Sequence, residues 1–371
     1  MKRRPFSVIM AGGKGTRFWP LSRSQRPKQL LKILSPKTLI RETADRVLPL
    51  SSPTQTLVVT VAEQLDGLSR ELRMLPRANF LAEPEGRNTA PCIGLAALEV
   101  VARDPTGIML VLPADHWIPD VRAFRRTLGA AMELANNSDN LITIGIRPAY
   151  PETGYGYIMK GKSLRTNNAV RAYQVKRFKE KPSEAVARQL IRRGSLWNSG
   201  IFVWRASTLL ELIARYQTAI ATSLDQIRRA AKEKSIGNPS SGLRHLIARA
   251  YKQMPSVSID HGVLEKVGSE GRVLTLEADF GWSDVGSWAA VHRMMHQDEN
   301  GNAGNGKWLG VGAKNCLVQA GDRLVVLLGM QDAVVVDTAD ALLVGDLKRS
   351  QDVRELVDEL KRKGYGAYTI R

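Results

Sequence analysis

At 371 residues, with 43% hydrophobic and 24% charged side chains, the chain can form one large domain and a small one, or two of ordinary size, around a sizeable core. A net charge of +18 invites a nucleic-acid reading, but Lys and Arg are dispersed from Lys2 to Lys363 with no interleaved aromatic residues, so solvated basic helices and a site for an anionic substrate are expected instead of a nucleic-acid partner. Cys92 and Cys316 are far apart with no Cys or His spacing around them, and no run approaches the ~18 apolar residues of a membrane span, so disulfide, zinc and membrane readings give way to a cytoplasmic expectation.

In chain order, Phe6 to Met10 is a short apolar run that enters a glycine-rich turn, too short for a signal-peptide core. Thr56 to Val61, Ile108 to Leu112 and Leu141 to Ile146 are β-rich runs of the length of buried parallel strands. Helical patterns such as Pro91 to Ala102 and Val121 to Ala135 separate them, and this alternation predicts a doubly wound, Rossmann-like α/β sheet. Further strands are expected at Val170 to Lys176, Gly200 to Trp204 and Arg272 to Glu277, with a long helical stretch over Ala206 to Gln253. The segment ENGNAGNGKW reads as a linker. Beyond it, short β-rich runs about ten residues apart suggest a small β-rich unit, closed by an amphipathic helix over Ser350 to Lys363.

The turn after the first run is Ala11-Gly12-Gly13-Lys14-Gly15-Thr16-Arg17. Glycines let backbone N–H groups approach a polyphosphate, and Lys14, Arg17 and Lys28 add cations. The segment matches neither a Walker loop nor GxGxxG. A plain tight turn is the competing reading, and the preceding strand and following basic residues favour phosphate binding.

The stretch AGGKGTRFWPLSRSQRPKQ resembles the signature of sugar nucleotidyltransferases, and specifically of mannose-1-phosphate guanylyltransferases. FLAEPEGRNTAP, LPADHWI, TGYGYI, VKRFKEKP, WNSGIFVW and DFGWSDVGSW continue the resemblance in the family's order, over three quarters of the chain. It implies a mixed-sheet nucleotidyltransferase domain over residues 1–296 and a left-handed β-helix-like domain over 297–371, with the tail supporting assembly. The sequence ends before the isomerase domain of longer relatives, so no isomerase activity is expected. The implied reaction moves GMP from GTP to mannose 1-phosphate by one in-line displacement. Another sugar or base specificity, or a non-catalytic sensing homologue, are the alternatives. GTP and mannose 1-phosphate are the implied partners, with a homodimer left open.

Site roles follow from the resemblance. Asp115 and Asp284 are expected to hold Mg²⁺ across the phosphates, in keeping with that ion's preference for one or two carboxylates plus substrate oxygens. His116 reads as a ligand or base, or as structural, and without a second histidine at ligand spacing the structural reading is taken. Ala11, Gly12, Gly13, Gly15, Thr16, Arg17, Lys28, Arg87, Asn88, Thr89 and Asp115 are the nucleotide candidates, with Arg17 and Lys28 stabilising the leaving group. Glu83 is the candidate reader of the base, because a carboxylate can accept from both N1–H and N2–H of guanine. Gly154, Tyr155, Gly156, Glu180, Lys181, Asn198 and Asp260 are expected around the sugar phosphate. His261-Gly262 departs from the family's usual aromatic-alanine pair and puts local packing there in question. Tyr155, Trp197 and Trp282 read equally as a sugar-stacking wall or as packing.

Overall fold

A computed structural model describes residues 4–13, 15–164, 170–232 and 235–370; Lys14 lies outside the described residues. Nine strands form one mixed sheet: β1 (Phe6–Met10), β2 (Thr56–Val61), β3 (Phe80–Glu83), β4 (Ile108–Pro113), β5 (Leu141–Ile146), β6 (Gly156–Leu164), β7 (Ala172–Glu180), β8 (Leu196–Arg205) and β9 (Val273–Ala278). Their order is β3-β2-β1-β4-β8-β5-β9-β7-β6. β1 lies parallel to β2 and β4, whereas β8 runs antiparallel to β4 and β5.

The central strands are apolar at nearly every position because both faces are covered. In β1 and β2, Val8, Leu57 and Val59 enter a core with the helix Thr89–Arg103, while Ile9 and Val58 enter the opposite core with Leu39–Val47 and Val121–Asn137. Alternate residues of a strand point to opposite faces, so a continuous Val/Ile/Leu run is the signature of a strand buried twice. The chain leaves β1 to one side for β2 and β3, then returns to the other side as β4. That reversal opens a crevice beyond the carboxyl ends of β1 and β4, where such sheets place ligands.

The sequence left β3 and β6 unnamed, and the long helical stretch divides into Ala206–Tyr216, Thr218–Ala230 and Ser241–Gln253. A larger difference lies after residue 299. The expected linker is folded: β10 (Ala303–Asn305) pairs in parallel with β12 (Leu317–Gln319), which pairs with β14 (Ala333–Asp337), and β15 (Leu342–Asp346) adds an antiparallel edge. A second face pairs β11 (Trp308–Val311) with β13 (Val325–Leu328), so successive coils stack in parallel. Gly301 and Gly306 turn the chain at φ of 75° and 82°.

This unit shares a core with the large domain: Phe18, Trp19, Leu31, Val285 and Trp288 pack with Leu317, Val334, Leu347, Val353 and Val357. Its first coil is keyed by buried Asn302, whose Nδ2 donates to Ala313 O at 3.0 Å and whose Oδ1 accepts from Cys316 N at 3.0 Å. Asn302→Ala would leave both backbone groups unpaired. The expected loss is about 1–3 kcal/mol of stability, read by urea unfolding, with a wild-type midpoint refuting the keying role.

Candidate active site

The loop after β1 is held from behind. Gln29 Nε2 donates to Ala11 O at 2.7 Å, Thr60 Oγ1 to the same oxygen at 3.1 Å, and Gln64 Nε2 to Gly13 O at 3.3 Å. These three residues carried no sequence signal beyond Gln29's place in the motif. Among the described residues, the amides of Gly12, Gly13 and Gly15 donate to no acceptor, which leaves them for an anion. Gly15 sits at φ 61°, and a Cβ there would strike Lys28 Cβ, so glycine lets the Lys28 segment close on the loop. Thr16 and Arg17 follow in a short 3₁₀ turn, with Arg17 half-buried.

Lys28 is buried, and its Nζ lies 2.7 Å from Asp115 Oδ2 and 2.7 Å from the backbone O of Asp284. One ammonium thus joins three motifs: the β1 loop, the end of β4 and the segment after β9. Burial pushes the Asp115 carboxyl up, but the Lys28 ammonium and its hydrogen bond outweigh it and hold the group below the usual range. Tyr155 Oη donates to Asp284 Oδ1 at 2.6 Å, and burial with the adjoining carboxylate keeps that phenol protonated. Gly286 leaves room for the Asp284 carboxylate, since a Cβ would come within 2.7 Å of Oδ2. Between them Val285 is held at φ 49°, a costly conformation for a β-branched residue, by full burial of its side chain.

His116 is structural. Its Nδ1 accepts from Trp282 Nε1 at 3.0 Å, and burial lowers its pKa to about 4, which keeps the ring neutral. Arg17, Lys28, Asp115 and Asp284 line one cleft of about 610 Å³.

Glu83 ends β3 beneath the loop, with Oε2 facing the α-carbon of Gly12, where a Cβ would stand 3.3 Å away. Oε1 has no hydrogen-bond partner, and burial raises the carboxyl to about 7 although Cys92 and Tyr251 offset part of the cost. The neighbouring candidates are committed elsewhere. Arg87 pairs with Glu85 at 2.7 Å and donates to Met254 O, Asn88 caps the helix Thr89–Arg103 from φ 67°, and Thr89 Oγ1 accepts from Ile259 N at 2.8 Å. They seat the helix entry against the segment that carries Asp260, so the structure does not bring the Arg87 guanidinium to the phosphate loop.

The remaining candidates do assemble. Gly156 opposes Glu180 across β6 and β7, and a Cβ at 156 would land on Glu180 Oε1. Asn198 Nδ2 donates to Asp260 Oδ1 at 2.7 Å while its Oδ1 accepts from Thr143. Burial, then the charge of Asp260, raises Glu180 to about 6. Lys181 follows at φ 40°, exposed and with no side-chain partner among the described residues. Gly154 donates its amide to Glu152 Oε1 at 2.9 Å. The unusual His261-Gly262 pair packs without conflict, through His261 to Glu265 at 3.1 Å and Gln217 Nε2 to Gly262 O at 2.9 Å. Trp197 and Trp282 are buried, each 5.2 Å from the Tyr155 ring, which favours packing over a free stacking wall.

The family model described as nucleotidyl transferase matches residues 6–301, and one described as a MannoseP isomerase/GMP-like beta-helix domain matches 306–360. The mannose-1-phosphate guanylyltransferase of Klebsiella pneumoniae is 37% identical over 97% of this chain and 75% of its own length. The xanthan biosynthesis protein XanB of Xanthomonas campestris pv. campestris (strain B100) is 38% identical over 96% of this chain and 73% of its own. Among solved structures, the crystal structure of mannose-1-phosphate geranyltransferase from Thermus thermophilus superposes with a TM-score of 0.85 at 33% identity, covering 97% of this chain and all of that one.

The Glu83 carboxyl makes stability depend on pH. Because its folded pKa is raised from 4.5 to about 7, its ionised form opposes folding: the cost is absent below the lower value and complete above the upper. Glu83→Gln removes that dependence. The variant should gain up to about 3 kcal/mol on wild type between pH 4.5 and pH 8, read by urea unfolding across that range. Parallel pH profiles would show that Glu83 titrates normally.

Proposed function

The chain belongs to the nucleotidyl transferase family, and we propose that it transfers GMP from GTP to α-D-mannose 1-phosphate, giving GDP-mannose and pyrophosphate. The observation that carries this reading is the buried Lys28 ammonium, which brings Asp115, Asp284 and the glycine loop to one cleft. The family generally uses a divalent metal. Asp115 and Asp284 would hold it. Among the described residues no group of three or more His, Cys, Asp or Glu gathers, so two carboxylates with substrate oxygens suit Mg²⁺ better than a metal caged by protein. When bound, Mg²⁺ supplies charge neutralisation at the phosphates.

The chain's own residues do the rest. A phosphate oxygen of mannose 1-phosphate attacks the α-phosphorus of GTP, the new P–O bond forms, and the bond to the β-phosphate oxygen breaks with its electron pair leaving on pyrophosphate. The attacking oxygen is already anionic, so no base is required. Loop amides and Arg17 meet the polyphosphate charge, and Lys28 holds Asp115 ionised. Glu83, with an unpaired oxygen, accepts from guanine N1–H and N2–H. Glu180 and Asn198 suit the sugar hydroxyls, Asp260 fixes Asn198, and Lys181 offers its free ammonium to the sugar phosphate.

No described helix is long and apolar enough to cross a membrane. We place the reaction in the cytoplasm, because both substrates are phosphate esters that do not cross a bilayer unaided. A homodimer is the proposed assembly, supported by a bare apolar face on β11 and β13: Leu309, Val311, Val326 and Leu328 are 50–77% exposed. Val326→Lys should shift a dimer to monomer in sedimentation, and a monomeric wild type would refute the assembly.

A panel of nucleoside triphosphates and sugar 1-phosphates, read by pyrophosphate release, tests the activity, and no release with GTP and mannose 1-phosphate would overturn it. Asp115→Asn and Asp284→Asn should each lower kcat by roughly 100-fold or more with little change in KM for mannose 1-phosphate, and the double variant should be little worse than either. Glu83→Gln should weaken GTP use by about 1–3 kcal/mol in kcat/KM and narrow its advantage over ITP, which lacks N2.

A further inference from the structure

The cleft has a wall that the sequence did not anticipate. Every polar group expected in the site lies before residue 290, yet Arg354 and Lys361 line the same cleft as Arg17, Lys28, Asp115 and Asp284. They belong to the last α-helix, Val353–Arg362, and stand seven residues apart, two turns on one stripe. The adjacent stripe, Val353 and Val357, is buried against Phe18, Trp19 and Leu31, which fixes the helix beside the turn that carries Arg17. The chain end is tied to the same segment. Trp19 Nε1 donates to Tyr368 O at 2.9 Å, Arg23 pairs with Asp340 at 2.9 Å, and the amides of Ser24 and Gln25 donate to Thr369 O and Ile370 O at 3.0 Å. Arg354 is therefore positioned by the same packing as the phosphate loop itself.

The charges in this wall are not satisfied internally. Among the described residues, neither Arg17 nor Arg354 makes a side-chain hydrogen bond or ion pair, and Lys361 only approaches Asp358, at 3.9 Å. Most exposed arginines gain little from pairing, but cations from opposite ends of the chain lining one cleft repel one another unless an anion comes between them. Lys28 is already engaged by Asp115 and the Asp284 carbonyl, which leaves the outer part of the cleft to Arg17, Arg354 and Lys361.

We infer that Arg354 and Lys361 bind the β- and γ-phosphates of the nucleotide, so that the C-terminal unit supplies part of the leaving-group site. This rests on the transferase reading above. As the bond from the α-phosphorus to the bridging oxygen breaks, its electron pair passes to the departing pyrophosphate, and the guanidinium and ammonium meet that added charge.

The test uses full-length Arg354→Ala, Lys361→Ala, the double variant and Arg354→Lys, each checked by circular dichroism. Calorimetric binding of pyrophosphate and of GMP is measured on all of them irrespective of turnover, with KM for pyrophosphate and for GDP-mannose measured in the reverse reaction. The expected result is pyrophosphate affinity lower by about tenfold per alanine substitution, partial rescue by lysine at 354, and unchanged GMP affinity. Pyrophosphate affinity within twofold of wild type in the folded double variant, or an equal loss for GMP, overturns the inference. A wild type that turns over while its variants bind pyrophosphate normally sinks this inference alone. A wild type without pyrophosphate release sinks the transferase reading, and the pyrophosphate binding data still decide whether the tail holds this anion.

Discussion

The structure depends on a buried lysine. Lys28 leaves water almost completely, and an unpaired ammonium there would be prohibitively costly, so the fold must bring it an anion and a carbonyl. Asp115 and the backbone of Asp284 meet that need, and in doing so they tie the end of β4 to the segment after β9. Everything close to Lys28 is shaped around it. Gly15 takes a left-handed conformation to let its backbone in, and Gly286 makes room for the Asp284 carboxylate, which also accepts from Tyr155. Val285 holds positive φ between them.

Conformational strain gathers where the chemistry is expected. Asn88, Lys181 and Val285 are three of the non-glycine residues at positive φ, and each adjoins a candidate site group. The strain persists because the surroundings over-determine it: Val285 is locked in the apolar core that the large domain shares with the tail. The same core sets Val353 and Val357 against Phe18, so the C-terminal coils and the phosphate loop form one packed body.

Two carboxyl groups, Glu83 and Glu180, are held above their ordinary range by burial. Neither is paired with a cation strongly enough to cancel that cost, which is a poor arrangement for stability alone. It is a useful one for recognition, since an acceptor kept dry and under-satisfied gains most when a ligand brings donors to it. Glycines at 12 and 156 keep side chains off these two carboxylates.

Much of this was legible in the sequence, for physical reasons that differ by element. Strands buried on both faces must be largely apolar throughout, so Thr56–Val61 and Leu141–Ile146 were readable to the residue. The glycine loop, Asp115, Asp284, Glu180 and Asn198 were legible through motifs whose residue types the chemistry requires. Strand β6 was not, because it turns polar and exposed beyond Met159, and an edge strand of that kind leaves no clean alternation. Nor were the first coils of the tail, since Asn and Gly at left-handed turns have the composition of a linker. Arg87 was misplaced because a sequence records that a cation is present and not which carbonyl it reaches. The contact of Lys28 with the Asp284 backbone and the placement of Arg354 beside Arg17 were decided by tertiary structure alone. Both join segments hundreds of residues apart through packing that has no period along the chain, so only the closed fold could bring them together.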